Sequence, residues 1–109
     1  MQEYKIFIYK DKYGKSPFLT WLSSIKDVKT QRRIKLRIER LDCGNFGDYK
    51  SLGENLYELR LFFGQGYRIY YTIEDDCVII LLMGGDKSTQ AADIKKAKDY
   101  IRDYKGELS

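Results

Sequence analysis

Residues 56–83 leave the backbone few options. Two alternating stretches, 56–63 and 67–73, are joined by Gly64-Gln65-Gly66, and an unbroken apolar run, 77–83, follows the acidic turn Glu74-Asp75-Asp76. Alternation with period two marks a strand that buries one face, and a short glycine-rich connector between two such strands marks a hairpin. Directly opposed residues of an antiparallel pair share a face. A loop over residues 64–66 pairs Phe63 with Tyr67, Leu61 with Ile69, Leu59 with Tyr71, Phe62 with Arg68 and Arg60 with Tyr70. Tyr57, Leu59, Leu61, Phe63, Tyr67, Ile69 and Tyr71 then face the core, while Arg60, Arg68 and Tyr70 share the other face; a loop shorter by one residue would mix the two sets. The arginines become diagonal neighbours, roughly 7 to 8 Å apart at their Cα atoms. Like charges this close repel, so the sheet gains nothing from them unless an anion or partner group neutralises them.

The flanking sequence supplies the remaining elements. Residues 4–9 read as a first strand, and Ser16-Pro17 opens a helix whose buried stripe is Phe18, Leu22 and Ile25, flanked by Trp21. A second helix follows Lys26-Asp27 and runs to about Asp42 on an apolar face of Ile34, Ile38 and Leu41, with Gly44 as its stop. Residues 49–52 suit a short strand. The run 77–83 suits a central strand covered on both faces, ended by Gly84-Gly85. Ser88 or Thr89 then caps a last helix with Ile94, Ala97, Ile101 and Tyr104 as its apolar face. The expected fold is α+β: a small antiparallel twisted sheet of four to five strands, two N-terminal helices packed on it and a C-terminal helix. A chain of 109 residues suits a single domain spanning 1–109.

Several chemistries are excluded by composition. The chain has no histidine, no metal-ligand spacing and no phosphate-cradling glycine loop, so no cofactor or metal is implied. Cys43 and Cys77 read as thiols, with no imidazole to activate either. No signal pattern opens the chain and the longest apolar run is too short for a bilayer, so a cytoplasmic protein without a membrane partner is expected. The net charge of +4 tilts the surface mildly toward polyanions. Arg33, Arg37 and Arg40 recur at four and three along the second helix, a basic ridge that suits either a solvated face or contact with RNA.

Gly44-Asn45-Phe46-Gly47-Asp48, Leu52-Gly53, Tyr57-Glu58-Leu59-Arg60, Gly66-Tyr67-Arg68-Ile69-Tyr70-Tyr71 and Gly84-Gly85-Asp86-Lys87-Ser88-Thr89-Gln90 with Asp93-Ile94 occur in one order, after Trp21-Leu22. In these residues the chain resembles the HigB-type addiction-module killer proteins of the RelE/ParE toxin superfamily. The resemblance implies the toxin of a type II toxin-antitoxin pair, partnered by a helix-turn-helix antitoxin. Superfamily nucleases cut messenger RNA on the ribosome, whereas ParE members share the fold and poison DNA gyrase. By resemblance Arg60 matches the arginine aimed at the scissile phosphate, Arg68 a second phosphate contact, and Lys87 a further basic group at the strand end. Asp93 stands where RelE has a catalytic tyrosine.

The chemistry of RNA cleavage can be argued beside that resemblance. Attack by the 2′-hydroxyl requires a proton acceptor, donors for the charge that builds on phosphorus-bound oxygens, and an acid for the leaving 5′-oxygen. Arginine forks suit the second task, since they stay cationic and donate in parallel to two oxygens. Lys87 or Asp93 is the candidate for proton transfer, with a surface lysine and a helix first-turn acid as their plain readings. Tyr70 is a candidate to stack a nucleotide, against simple cross-strand packing. Lys50, Arg37 and Arg40 are candidate phosphate contacts, against solvated side chains. A harmless interaction module whose basic face docks an acidic partner is the remaining alternative.

Overall fold

A computed structural model describes residues 3–106. Along the chain come strand β1 (Lys5–Ile8), helix α1 (Pro17–Ser24), helix α2 (Val28–Asp42) and strands β2 (Tyr49–Ser51), β3 (Leu56–Arg60), β4 (Arg68–Glu74) and β5 (Val78–Gly85). A short 3₁₀ turn (Lys87–Thr89) then leads into helix α3 (Gln90–Tyr104). Local chemistry starts both N-terminal helices. The Ser16 hydroxyl accepts from the Leu19 amide at 3.1 Å ahead of Pro17, and the Asp27 carboxylate accepts from the Lys29 amide at 3.2 Å. At the end of α2, Gly44 N–H reaches Leu41 O and Asn45 N–H reaches Arg40 O, each at 3.0 Å, which satisfies carbonyls the helix would leave open.

The five strands form one sheet in the order β1-β5-β4-β3-β2. Four of them run antiparallel as the sequence leads one to expect, but β1 lies parallel to β5 and makes the sheet mixed. No turn joins β1 to β5, since the chain between them runs through both helices and strands β2 to β4, so local sequence has no hold on its direction. Both faces are covered. Phe18, Leu22, Ile34 and Leu41 pack from α1 and α2 onto Leu59, Leu61, Ile69, Tyr71, Ile79 and Leu81. Ala97 and Ile101 of α3 pack on the opposite face, with Leu56, Tyr70, Ile80 and Leu82.

The hairpin register differs from the sequence expectation by a defined amount. Leu59 faces Ile69 and Arg60 faces Arg68, and Leu61 N–H donates to Tyr67 O at 3.0 Å, so the loop spans residues 62–66 and not 64–66. Gly66 N–H closes a tight turn on Phe63 O at 3.3 Å, with Gly64 and Gly66 at φ of +61° and +73°. Phe63 and Tyr67 therefore pack as flanking rings, 6.0 Å apart, and do not continue the ladder. Both loops are odd in length, so the two faces keep the residues that parity assigns them.

The double glycine at the end of β5 is explained by close approach from both sides. A Cβ on Gly84 would lie 2.1 Å from the Trp21 ring of α1, and one on Gly85 would lie 1.9 Å from Asp93 Oδ2 of α3. A half-buried indole packed between Phe18 and Tyr67 gives way less readily than a flexible side chain. Gly84→Ala is expected to destabilise the protein by about 1–3 kcal/mol through overpacking, read as a lower midpoint in urea unfolding with an unchanged slope; a midpoint equal to wild type would show that Trp21 is free to move.

A candidate nucleic-acid interface at the end of the sheet

β3 ends, β4 begins and β5 ends on one edge of the fold, so Arg60 stands opposite Arg68 and Arg68 opposite Gly85. Lys87 emerges just past that edge, exposed, with its Cβ 3.6 Å from where a Cβ on Gly66 would sit. The backbones of the three basic residues thus lie at the same end of the sheet, and the arginines sit closer than the diagonal expectation: directly opposed residues hold their Cβ atoms about 4.5–5.5 Å apart.

Glu58 lets the pair be tolerated. Its side chain is 0% exposed; one carboxylate oxygen lies 3.2 Å from Arg60 Nε, and the other accepts from Gln90 Nε2 of α3 at 2.8 Å. The Arg60 side chain is 32% exposed and makes no other hydrogen bond among the described residues, which leaves its terminal nitrogens available. Arg68 has no ion pair among the described residues, and its Nε is buried without a hydrogen-bond partner there. Glu58 therefore clasps Arg60 by its Nε, and no described residue hydrogen-bonds the terminal nitrogens of either arginine.

The other expected site residues separate into those that stay accessible and those that do not. Lys50 is exposed on the edge strand β2 opposite Glu58, so it lies on the same face one residue row away from Arg60. Tyr70 cannot stack a nucleotide: it is 0% exposed, opposite Glu58 and beneath α3, and burial first, then the neighbouring carboxylate, pushes its phenol up from its ordinary range. The face that parity assigns to Arg60, Arg68 and Tyr70 is open only at its end, because α3 covers the rest. Asp93 is 7% exposed, accepts a hydrogen bond from the Thr89 hydroxyl and presses on Gly85, an anchor of α3 on β5. Thr89 stands at the N-cap of α3, as expected, but makes no side-chain capping bond there; the capping is done at the preceding 3₁₀ turn by Asp86, whose carboxylate accepts from the Ser88 amide at 2.8 Å and is held below its ordinary pKa chiefly by hydrogen bonding from the Ser88 hydroxyl.

Arg37 is committed internally. Its guanidinium donates to Asn45 O at 3.0 Å and to Phe46 O, and burial, followed by the charge of Arg40, lowers its pKa. It straps the α2–β2 connection and has little left for RNA. Arg40 remains exposed and lines a cleft of about 340 Å³ between α2 and the end of β3, together with Arg33, Arg60, Asp48 and Phe62. Sequence reasoning passed over Glu58 and Gln90. The alternation that placed Arg60 also placed Glu58 on the same face two residues earlier, so half of the clasp was readable; Gln90 arrives from a distant helix and carries no local signal.

Comparisons with known proteins bear on this arrangement. A family model described as "Phage derived protein Gp49-like (DUF891)" matches residues 21–105. An uncharacterized protein of Haemophilus influenzae is 51% identical over 81 residues, which is 74% of this chain and 82% of that protein. Among solved structures, a double arginine-to-alanine variant of the E. coli toxin RelE in its free state aligns with a TM-score of 0.64 at 16% identity, covering 89% of this chain and 95% of that one.

Proposed function

The chain belongs to the phage-derived Gp49-like family and has the fold of the RelE toxin, and from that footing we propose that it is the toxin of a type II toxin-antitoxin pair, an endoribonuclease that cuts messenger RNA on the ribosome. The observation that carries this reading is the opposed pair Arg60 and Arg68, whose terminal nitrogens no described residue uses, with Lys87 leaving the same end of the sheet next to Gly66.

In this reading the scissile phosphate sits across the end of the sheet. The 2′-oxygen attacks phosphorus and gives its proton to water, the bond from phosphorus to the 5′-oxygen breaks to leave a 2′,3′-cyclic phosphate, and the two guanidinium groups donate to the non-bridging oxygens as their charge grows. Glu58 touches no substrate; it holds Arg60 by Nε so that its terminal nitrogens point outward. Lys87 is the exposed ionisable group best placed to exchange a proton at the leaving 5′-oxygen, and Lys50 binds a neighbouring phosphate. Asp93 and Tyr70 support the site from beneath. The cognate antitoxin, a helix-turn-helix protein, neutralises the toxin by covering this basic end with an acidic or apolar segment.

Expression of the unpaired chain should arrest growth, and primer extension on messages from the arrested cells should reveal new 5′ ends inside translated codons. Arrest with intact messages and accumulating cleaved DNA would assign the chain instead to gyrase poisoning. A chain that leaves growth unaffected would leave a docking module.

A further inference from the structure

The cleft beside Arg60 has features that the scissile-phosphate site does not require. Phe62 is 80% exposed at its rim, on the hairpin loop, where water gains nothing from an aromatic ring. Phe63, the next residue, carries the Arg33 guanidinium over its ring at 3.9 Å from the centroid, which fixes one cation at the cleft wall. Arg40 supplies a second from two turns further along α2, and Arg60 a third that also belongs to the cleavage site. Asp48 is the only acid among the lining residues. At about 340 Å³ the cleft can take one mononucleotide-sized group, near the low end of the roughly 300–1,000 Å³ of small-ligand sites.

We infer that this cleft is a nucleotide subsite for single-stranded RNA, in which the base next to the cleaved phosphodiester stacks on Phe62 and its phosphate is held by Arg40 and Arg33. This rests on the endoribonuclease reading and adds to it a defined path for the strand, from the sheet end toward α2. An exposed ring at the rim of an arginine-lined cleft suits a nucleotide, because every base has a π-face and every nucleotide a phosphate. A single strand is required, since the bases of an A-form duplex are stacked and out of reach. Arg37 takes no part as a phosphate ligand, being held by the Asn45 and Phe46 carbonyls.

The test is binding of a fluorescently labelled, non-cleavable eight-nucleotide 2′-O-methyl RNA, followed by anisotropy across a salt series. Phe62→Ala should weaken binding about tenfold through lost stacking without changing the salt dependence, and Phe62→Trp should restore it. Arg40→Ala should lower the slope of log K against log salt by about 0.7, the share of one phosphate contact on a single strand. A damaged fold would not divide its effects between affinity and slope in this way. If wild type does not bind the oligonucleotide, or Phe62→Ala binds it as wild type does, the subsite is refuted. If Phe62→Ala spares RNA but weakens capture of an acidic partner protein, the cleft is a protein dock and the inference falls. A wild-type chain that cuts no message sinks the nuclease reading as a whole; one that cuts messages but shows no Phe62 effect sinks the subsite alone.

Discussion

Arg68→Ala is expected to slow cleavage of a ribosome-bound message by about 10²–10³, the loss typical of removing one preorganised donor from an oxyanion, while leaving the fold intact. The two halves of that expectation have separate origins. The rate should fall because Arg68 stands directly opposite Arg60 at the open end of the sheet, where the proposed mechanism has both guanidinium groups donate to one phosphate. Stability holds because Arg68 has no ion pair among the described residues and its Nε lacks a hydrogen-bond partner there. Removing a cation that sits beside another and satisfies no buried acid leaves no orphan behind. Single-turnover cleavage of a defined message on purified ribosomes measures the first half, and thermal unfolding the second. An Arg68→Ala protein that cuts at the wild-type rate would remove the central element of the proposed mechanism.

Arg60→Ala should behave differently, with a cost in stability as well as activity. Glu58 is fully buried and has two hydrogen-bonding partners, Arg60 and Gln90. Deleting the arginine strands a carboxylate under α3 with one neutral amide for company, a change expected to cost about 3 kcal/mol, the low end for a broken buried pair because Arg60 is partly in water. In a chain of this size that corresponds to a melting temperature lower by roughly 12 °C or more. Adding Glu58→Gln should recover most of the lost stability, since the amide still meets Gln90 and carries no charge, yet should recover none of the activity. A double-mutant cycle reads both quantities. If Arg60→Ala melts with wild type, or if Glu58→Gln fails to rescue it, the Glu58 clasp is not what supports the arginine. Loss of toxicity in Arg60→Ala alone is therefore ambiguous, and the paired variant resolves it.

Much of the fold was legible because its cues are local and periodic. Pro17 after Ser16, Asp27 before α2 and Gly44 after it each act within one helical turn, and the observed bounds of α2 follow them. The strands at 56–60 and 68–74 announce themselves by alternation, and parity survives an error in loop length as long as that error is even. What misled was the loop itself: Gly64 and Gly66 close a turn inside a wider connection, so Arg60 moved from diagonal to directly opposite Arg68. The direction of β1 was not legible, because its partner β5 lies far along the chain.

Site residues divide along the same line. Sequence alone determined which residues share a face of β3 and β4, and so that Arg60 and Arg68 had to meet, because side-chain direction in a strand is set by backbone geometry one residue at a time. Whether that face meets water is not a property of the strand. The tertiary structure decided it by laying α3 over Tyr70 and Glu58, with Asp93 on the helix's own buried side, and stopping short of the sheet end, and by bending the α2–β2 connection until its carbonyls claimed Arg37. Burial comes from packing between elements distant in sequence, and it turned two expected contacts into supports while leaving Arg60, Arg68 and Lys87 at the open edge.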